Sequence, residues 1–351
     1  MQGKQLRAEF ELVRGTYHSF SEKVQELLEG FLEAKGLVVH SVSSRCKTPG
    51  SLEVKAQKKL DKGSEYTSLK SVTDLAGVRV ITHFANDVDE IAKIVEHEFN
   101  VDFDNSIDKR LAQEPDRFGY TSLHYVVALS DDRLKLSEYL KFSDIKVEIQ
   151  IRSILQHAWA EIEHDIGYKA NDEVPKDVKR KFSRLSGLLE LADEEFMDIR
   201  TKVDAYAESV KKAVGTDLEE FEIDKTSLDS FAMSNHVVVE LDREIGDILG
   251  VTIGKPYFLP EEFEIFKMFG VNTLDQLEKM LQDYRSGILE RAEHIASRDD
   301  GTTFMLGAGI SIFYLFQVVV GLSKDEDKVM DYLRAMGLAE DGEFADYLMT
   351  F

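Results

Sequence analysis

Cysteine and tryptophan occur once each in the 351 residues, and proline only five times. The single thiol, Cys46, excludes an internal disulfide framework and any zinc site built on paired cysteines. It fits a reducing compartment, so the cytoplasm is the expected location. Residues 1–10 (MQGKQLRAEF) lack the apolar core of a secretory signal. Positive charge is scarce as well: 43 Lys and Arg stand against 66 Asp and Glu, a net −23, the wrong sign for a broad nucleic-acid surface. Long charge-free runs are almost missing. Gly301–Ser323 is 23 residues without a charge, but it carries four glycines and Gln317, and no basic cluster flanks it. It reads as a buried helix of a C-terminal domain, and a membrane partner is not expected.

What is present is an ordinary globular composition, 43% hydrophobic and 31% charged, in a chain of a length that suggests two domains. The charge is uneven. Residues 1–170 hold 23 basic and 28 acidic side chains, and residues 171–351 hold 20 and 38. Against this trend, Ser41–Lys62 carries Arg45, Lys47, Lys55, Lys58, Lys59 and Lys62 with only Glu53 and Asp61. A solvated helix face explains such an island as readily as a compact phosphate site does.

Apolar residues at helical spacing from Leu6 to Phe31 predict one long helix or a pair over 3–35, with Gly36 as the stop. Strands are predicted around Leu37–Ser43, Gly77–Phe84, Ser122–Leu129 and Lys146–Ser153, and helices from Ser51, over Asp87–Phe99 and over Ile154–Lys169. The succession α-β-α-β-α-β-β-β-α favours an α+β domain with a mixed sheet flanked by helices. The expected divisions are 1–36, an N-terminal helical segment; 37–170, the mixed domain; 171–215, a helical extension; and 216–351, an acidic, mainly helical C-terminal region. The acidic stretch Thr216–Asp229 is the expected linker.

Strict alternation in Val147–Ser153 turns Val147, Ile149 and Ile151 one way and Glu148, Gln150 and Arg152 the other. An acid, an amide and a guanidinium thus share one face. Tyr120, Ser122 and His124 share another, and Asp74 stands at the entrance of the strand that contains Arg79. Taken singly, each has a bland explanation in a solvated strand, a satisfied histidine or a turn cap.

In combination they are far more specific. Arg45-Cys46-Lys47 with Ser51, Asp74-Leu75-Ala76-Gly77-Val78-Arg79, Gly119-Tyr120-Thr121-Ser122-Leu123-His124 and Val147-Glu148-Ile149-Gln150-Ile151-Arg152 occur in one order. Over about residues 35–170 the chain resembles the synthetase domain of the RelA/SpoT family, in its short, single-function form. The resemblance implies a nucleotidyltransferase-like fold and a pyrophosphokinase that moves the β,γ-pyrophosphate of ATP to the ribose 3′-hydroxyl of GDP or GTP, releasing AMP. It implies Mg²⁺ on Asp74 and Glu148, with Glu148 also assisting removal of the hydroxyl proton. ATP would meet Arg45, Lys47, Ser51 and Lys55, and the acceptor would meet Tyr120 and His124. Arg79, Gln150 and Arg152 would support the same face.

Two other readings stay open: a toxin-type member acting on adenine nucleotides or the tRNA 3′ end, and an inactive nucleotide-binding regulator. The net charge disfavours tRNA. Phe118 stands where the long members often have asparagine, which leaves the acceptor undecided. The helix face His157, Glu161, His164 reads as a buttress of the active-site strand rather than a metal site. The sole His-Asp pair, His164-Asp165, follows the synthetase region, so alarmone hydrolysis is not expected. The acidic region could engage a protein partner or restrain the enzyme.

Overall fold

The computed structural model describes residues 2–108, 122–169, 175–298, 305–338 and 342–351. The chain forms two compact units, Met1–Ile199 and Arg200–Phe351.

The first unit opens on a single helix, α1 (Gln2–Ala34), whose stripe Leu6, Phe10, Tyr17, Phe20, Val24, Leu28 and Leu32 is buried. Gly36, at φ 66°, ends it, and Leu37 N–H donates to the Leu32 carbonyl at 2.9 Å, closing a left-handed cap that only glycine adopts cheaply. Then follow β1 (Ser41–Cys46), α2 (Pro49–Asp61), β2 (Ala76–Thr82), α3 (Asp87–Glu98), β3 (Phe99–Val101), β4 (Ile107–Asp108), β5 (Leu123–Leu129), the short α4 (Asp131–Leu134), β6 (Val147–Ser153), α5 (Ile154–Lys169) and the first part of α6 (Lys176–Ala213), whose residues from Arg200 on belong to the second unit.

Among the described residues the sheet has six strands in the order β1-β2-β6-β5-β3, with β4 also on β5. Only β2–β6 is parallel, so the sheet is mixed as expected. Val147, Ile149 and Ile151 are fully buried, joined by Val78, Val80, Leu123 and Val127 beneath α1 and α3. The opposite face carries the polar row.

The first strand lies at Ser41–Cys46 rather than Leu37–Ser43. Leu37 and Val39 pack against the core instead of joining the ladder, so their apolar character marks burial and not pairing.

The second unit contains α7 (Lys225–Ser234), α8 (His236–Leu249), β7 (Thr252–Gly254), α9 (Pro260–Met268), α10 (Leu274–Asp283), α11 (Arg285–Arg298), β8 (Met305–Gly307), α12 (Ile310–Leu322), α13 (Glu326–Ala335) and α14 (Gly342–Leu348), around its own core. The acidic stretch 216–229 is not a free linker. Leu218 is 4% exposed in this core, Glu222 bridges to Thr273, and Asp224 caps α7. The charge-free run supplies α12, 13 residues long and buried on most sides. Among the described residues no helix is long and apolar enough to cross a membrane.

Candidate active site

The ladder builds the site. Register places Arg45 beside Gly77 and Gly77 beside Glu148, and in the next row Ser43, Arg79, Gln150 and His124 lie side by side across four strands. Glu148 sits at the centre. Its Oε1 is 3.1 Å from His124 Nδ1, its Oε2 accepts from Gln150 Nε2 at 2.6 Å, and Arg45 Nη2 stands 4.0 Å away. The other ring nitrogen of His124 is 2.7 Å from Ser122 Oγ, so the imidazole is held at both ends.

Gly77 gives Arg45 room to lie close to the strand. A Cβ there would lie 3.2 Å from Arg45 Nε and 3.6 Å from the Glu148 carbonyl oxygen. Gly77→Ala should therefore shift the Arg45 side chain by a few tenths of an ångström. With Arg45 on ATP, as the family resemblance implies, the KM for ATP should rise about two- to fivefold, with kcat within about twofold, in steady-state kinetics.

The second carboxylate, Asp74, enters just before β2. Lys47, which follows β1, and Lys55, in α2, both reach its Oδ2, at 3.0 and 2.6 Å. Its Oδ1 is buried and makes no hydrogen bond. The start of α2 is fixed by Thr48, whose Oγ1 accepts from Ser51 N–H at 3.2 Å and lies 2.8 Å from Ser51 Oγ, with Pro49 opening the first turn. Ser51 thus sits at a helix N-terminus, where anions are favoured.

Burial acts upward on the Asp74 carboxyl more than any other single influence, but the Lys55 and Lys47 ammonium groups together outweigh it and hold the carboxyl below its ordinary 3.8. Glu148 behaves alike: burial pushes up, His124 and Gln150 pull down, the Asp74 charge pushes up slightly, and the net is below 4.5. Both groups are anions at neutral pH, and each folded value lies below the unfolded one. Their stabilising contribution is therefore complete above the unfolded values and lost as pH falls through the lower folded ones. Acid unfolding should show this loss only below about pH 4, and Asp74→Asn should make the folded chain less sensitive to acid there, as urea titrations at stepped pH would record.

Behind the row, Glu161 of α5 forms an ion pair with Arg79 Nη1 at 3.1 Å and faces Arg152 Nη2 at 3.5 Å and His157 Nδ1 at 3.7 Å. Burial, with the Arg152 and Arg79 charges, holds the His157 ring below its usual value. The helix face expected to buttress β6 carries a carboxylate that ties guanidinium groups of β2 and β6 together. Of the sequence-derived residues, Glu148, His124, Gln150 and Arg45 meet in one cluster and Asp74, Lys47 and Lys55 in another, whose charge is felt at Glu148. Ser51 is at the head of α2, and Arg79 and Arg152 meet on Glu161. Tyr120 lies outside the described residues.

A profile described as "Region found in RelA / SpoT proteins" matches residues 44–173. The chain is 32% identical over 158 residues to GTP pyrophosphokinase YwaC of Bacillus subtilis (strain 168), covering 44% of this chain and 71% of that protein. To GTP pyrophosphokinase YjbM of the same organism it is 29% identical over 183 residues, covering 51% and 81%. The crystal structure of the small alarmone synthetase 1 from Bacillus subtilis bound to its product pppGpp aligns with 26% identity and a TM-score of 0.48, covering 56% of this chain and 99% of that one. The chain belongs to the RelA/SpoT family.

Proposed function

We propose that the first unit is a pyrophosphokinase that transfers the β,γ-pyrophosphate of ATP to the 3′-hydroxyl of GDP or GTP, giving (p)ppGpp and AMP, in the cytoplasm. The observation that carries this reading is the pair of half-buried carboxylates, each held below its ordinary pKa, beside two converging lysines, with the Asp74 Oδ1 atom buried and without a hydrogen bond. Relatives named GTP pyrophosphokinase support the reaction and its acceptor.

Two carboxylates suit Mg²⁺, which takes one or two protein carboxylates and fills its shell with substrate phosphates and water. Asp74 and Glu148 are the residues that would hold it. Bound there, the ion supplies Lewis-acid charge on the phosphate oxygens.

The chain's own groups do the rest. Lys47, Lys55 and the head of α2 with Ser51 meet the ATP phosphates, and Arg45 lies against the adenine. The acceptor 3′-oxygen forms a bond to the β-phosphorus as the bond from that phosphorus to the oxygen bridging the α-phosphate breaks, so AMP leaves with the electron pair. Glu148 orients the hydroxyl and receives its proton late, as suits a loose phosphoryl transition state and a carboxylate of lowered pKa. His124 and Gln150 keep that carboxylate in place. Tyr120 stacks on the acceptor base.

The test is incubation of the purified full chain and Mg²⁺ with γ-labelled ATP and, separately, GDP, GTP, ATP or deacylated tRNA. Labelled guanosine product with GDP or GTP supports the reading. Label confined to an adenine nucleotide or to tRNA would transfer the assignment to that acceptor, and no labelled nucleotide product would overturn it.

A further inference from the structure

Strand β1 and the residue after it carry Arg45 and Lys47, two of the side chains proposed to meet ATP, yet β1 is the outermost strand of its sheet, with β2 on one side only. An edge strand leaves a row of backbone N–H and C=O groups without a ladder. Side chains of α1 supply the missing partners. Gln25 Oε1 accepts from Ser44 N–H at 2.9 Å and Gln25 Nε2 donates to the Val42 carbonyl at 3.2 Å, so one amide closes the pair of bonds that a neighbouring strand would make. Further along, the Cys46 thiol donates to the Arg14 carbonyl at 3.8 Å, and Arg14 Nε donates to the Lys47 carbonyl at 3.2 Å. The Lys47 carbonyl lies one residue outside α2. The N-cap is Thr48, whose own carbonyl accepts from Leu52 N–H at 3.1 Å.

We propose that Arg14 and Gln25 are positioning residues of the nucleotide site, Arg14 acting through Lys47 and Gln25 through Arg45; this rests on the proposed placement of ATP against those two side chains. Both lie before residue 44, where the family match begins. Their contacts fall on residues 42, 44, 46 and 47, the backbone on either side of Arg45 and at Lys47 itself. Lys47 is thereby held three ways. Its N–H donates to the Leu75 carbonyl at 2.8 Å, its carbonyl accepts from Arg14, and its ammonium donates to Asp74 Oδ2 at 3.0 Å. Without Arg14 the turn into α2 keeps its cap but loses its tie to α1, and a nucleotide must order the Lys47 side chain again on binding. Neither residue belongs to the buried stripe that seats α1, so removing either side chain leaves the helix in place. His124, proposed to meet the acceptor, stands on β5, three strands away from β1.

The test is equilibrium titration of the full chain and Mg²⁺ with α,β-methylene-ATP, which cannot be cleaved at that linkage, and separately with GDP. Arg14→Ala and Gln25→Ala should each raise the dissociation constant of the ATP analogue about three- to tenfold, the range that ordering one long side chain covers. The constant for GDP should stay within about twofold, and the melting temperature of the first unit within about 4 °C. In a Lys47→Ala background Arg14→Ala should have little further effect, as should Gln25→Ala beside Arg45→Ala, because a residue that acts through another loses its influence with it. No loss in either variant would overturn the proposal. So would equal loss for the analogue and GDP, which is what a merely structural role gives, or additive losses in the double variants. Analogue binding by the parent without guanosine product would overturn the proposed reaction and leave this assignment standing, whereas a parent that does not bind the analogue would overturn both.

Discussion

Asp74→Asn and Glu148→Gln are each expected to lower turnover at least about a hundredfold, roughly 2.7 kcal/mol in the barrier, while the circular dichroism of the protein stays that of the parent. Side-chain volume hardly changes in either case, so the packing around β2 and β6 has no reason to move. What is lost is charge. An amide at 74 leaves Lys47 and Lys55 converging on a neutral group, where they now face Oδ2 at 3.0 and 2.6 Å. An amide at 148 can still hydrogen-bond His124 and Gln150, but it cannot take a proton from a hydroxyl. On the proposed roles, in which both carboxylates act on the charge that redistributes during transfer, the loss should fall on kcat more than on the KM for ATP. Near-normal kcat in either variant would remove the carboxylate from the reaction.

Asp242→Ala is expected to destabilise the second unit markedly. The Asp242 carboxylate, 2% exposed, accepts from Gly309 N–H at 2.5 Å and Ser311 N–H at 2.9 Å, and so closes the N-terminus of α12 across 67 residues of sequence. Burial raises its pKa, opposed by these same hydrogen bonds. Alanine would leave two buried N–H groups without an acceptor, at about 1–3 kcal/mol each, a large share of the roughly 5–15 kcal/mol that holds a domain folded. The cleft bordered by Asp242, Gly246 and Ala308 lets water reach the gap, which favours the lower end of that range. The melting temperature of the second unit should fall by about 4–8 °C, and Asp242→Asn, which keeps one acceptor, should recover roughly half. A shift under about 2 °C would show that α12 does not depend on this cap.

The parts of this architecture visible in the sequence are those that repeat with the period of one element. Alternation in Val147–Ser153 separates a buried face from the face carrying Glu148, Gln150 and Arg152, and the ladder keeps that division. The spacing from Leu6 to Leu32 gives α1 its buried stripe. Where an apolar residue has two uses, the signal misleads, as Leu37 and Val39 show by packing without pairing. Contacts between elements left less trace. Lys47 and Lys55 stand 27 and 19 positions from Asp74, and nothing in the spacing says that both end on one oxygen. Gly77 reads as an ordinary small residue until Arg45 is laid across it. The motif order supplied by family resemblance gathered the site residues, whereas Asp242, for which no motif exists, became visible only in the fold.

The most direct measurement of the central claim is the stoichiometry of one turnover, followed by phosphorus NMR and by chromatography of adenine nucleotides in a mixture of the full chain, Mg²⁺, ATP and GDP. One AMP should form for each guanosine product, and both transferred phosphorus atoms should appear as a diphosphate on the 3′-oxygen. Formation of ADP in step with product, or of AMP with free pyrophosphate and no 3′-modified guanosine, would contradict the account.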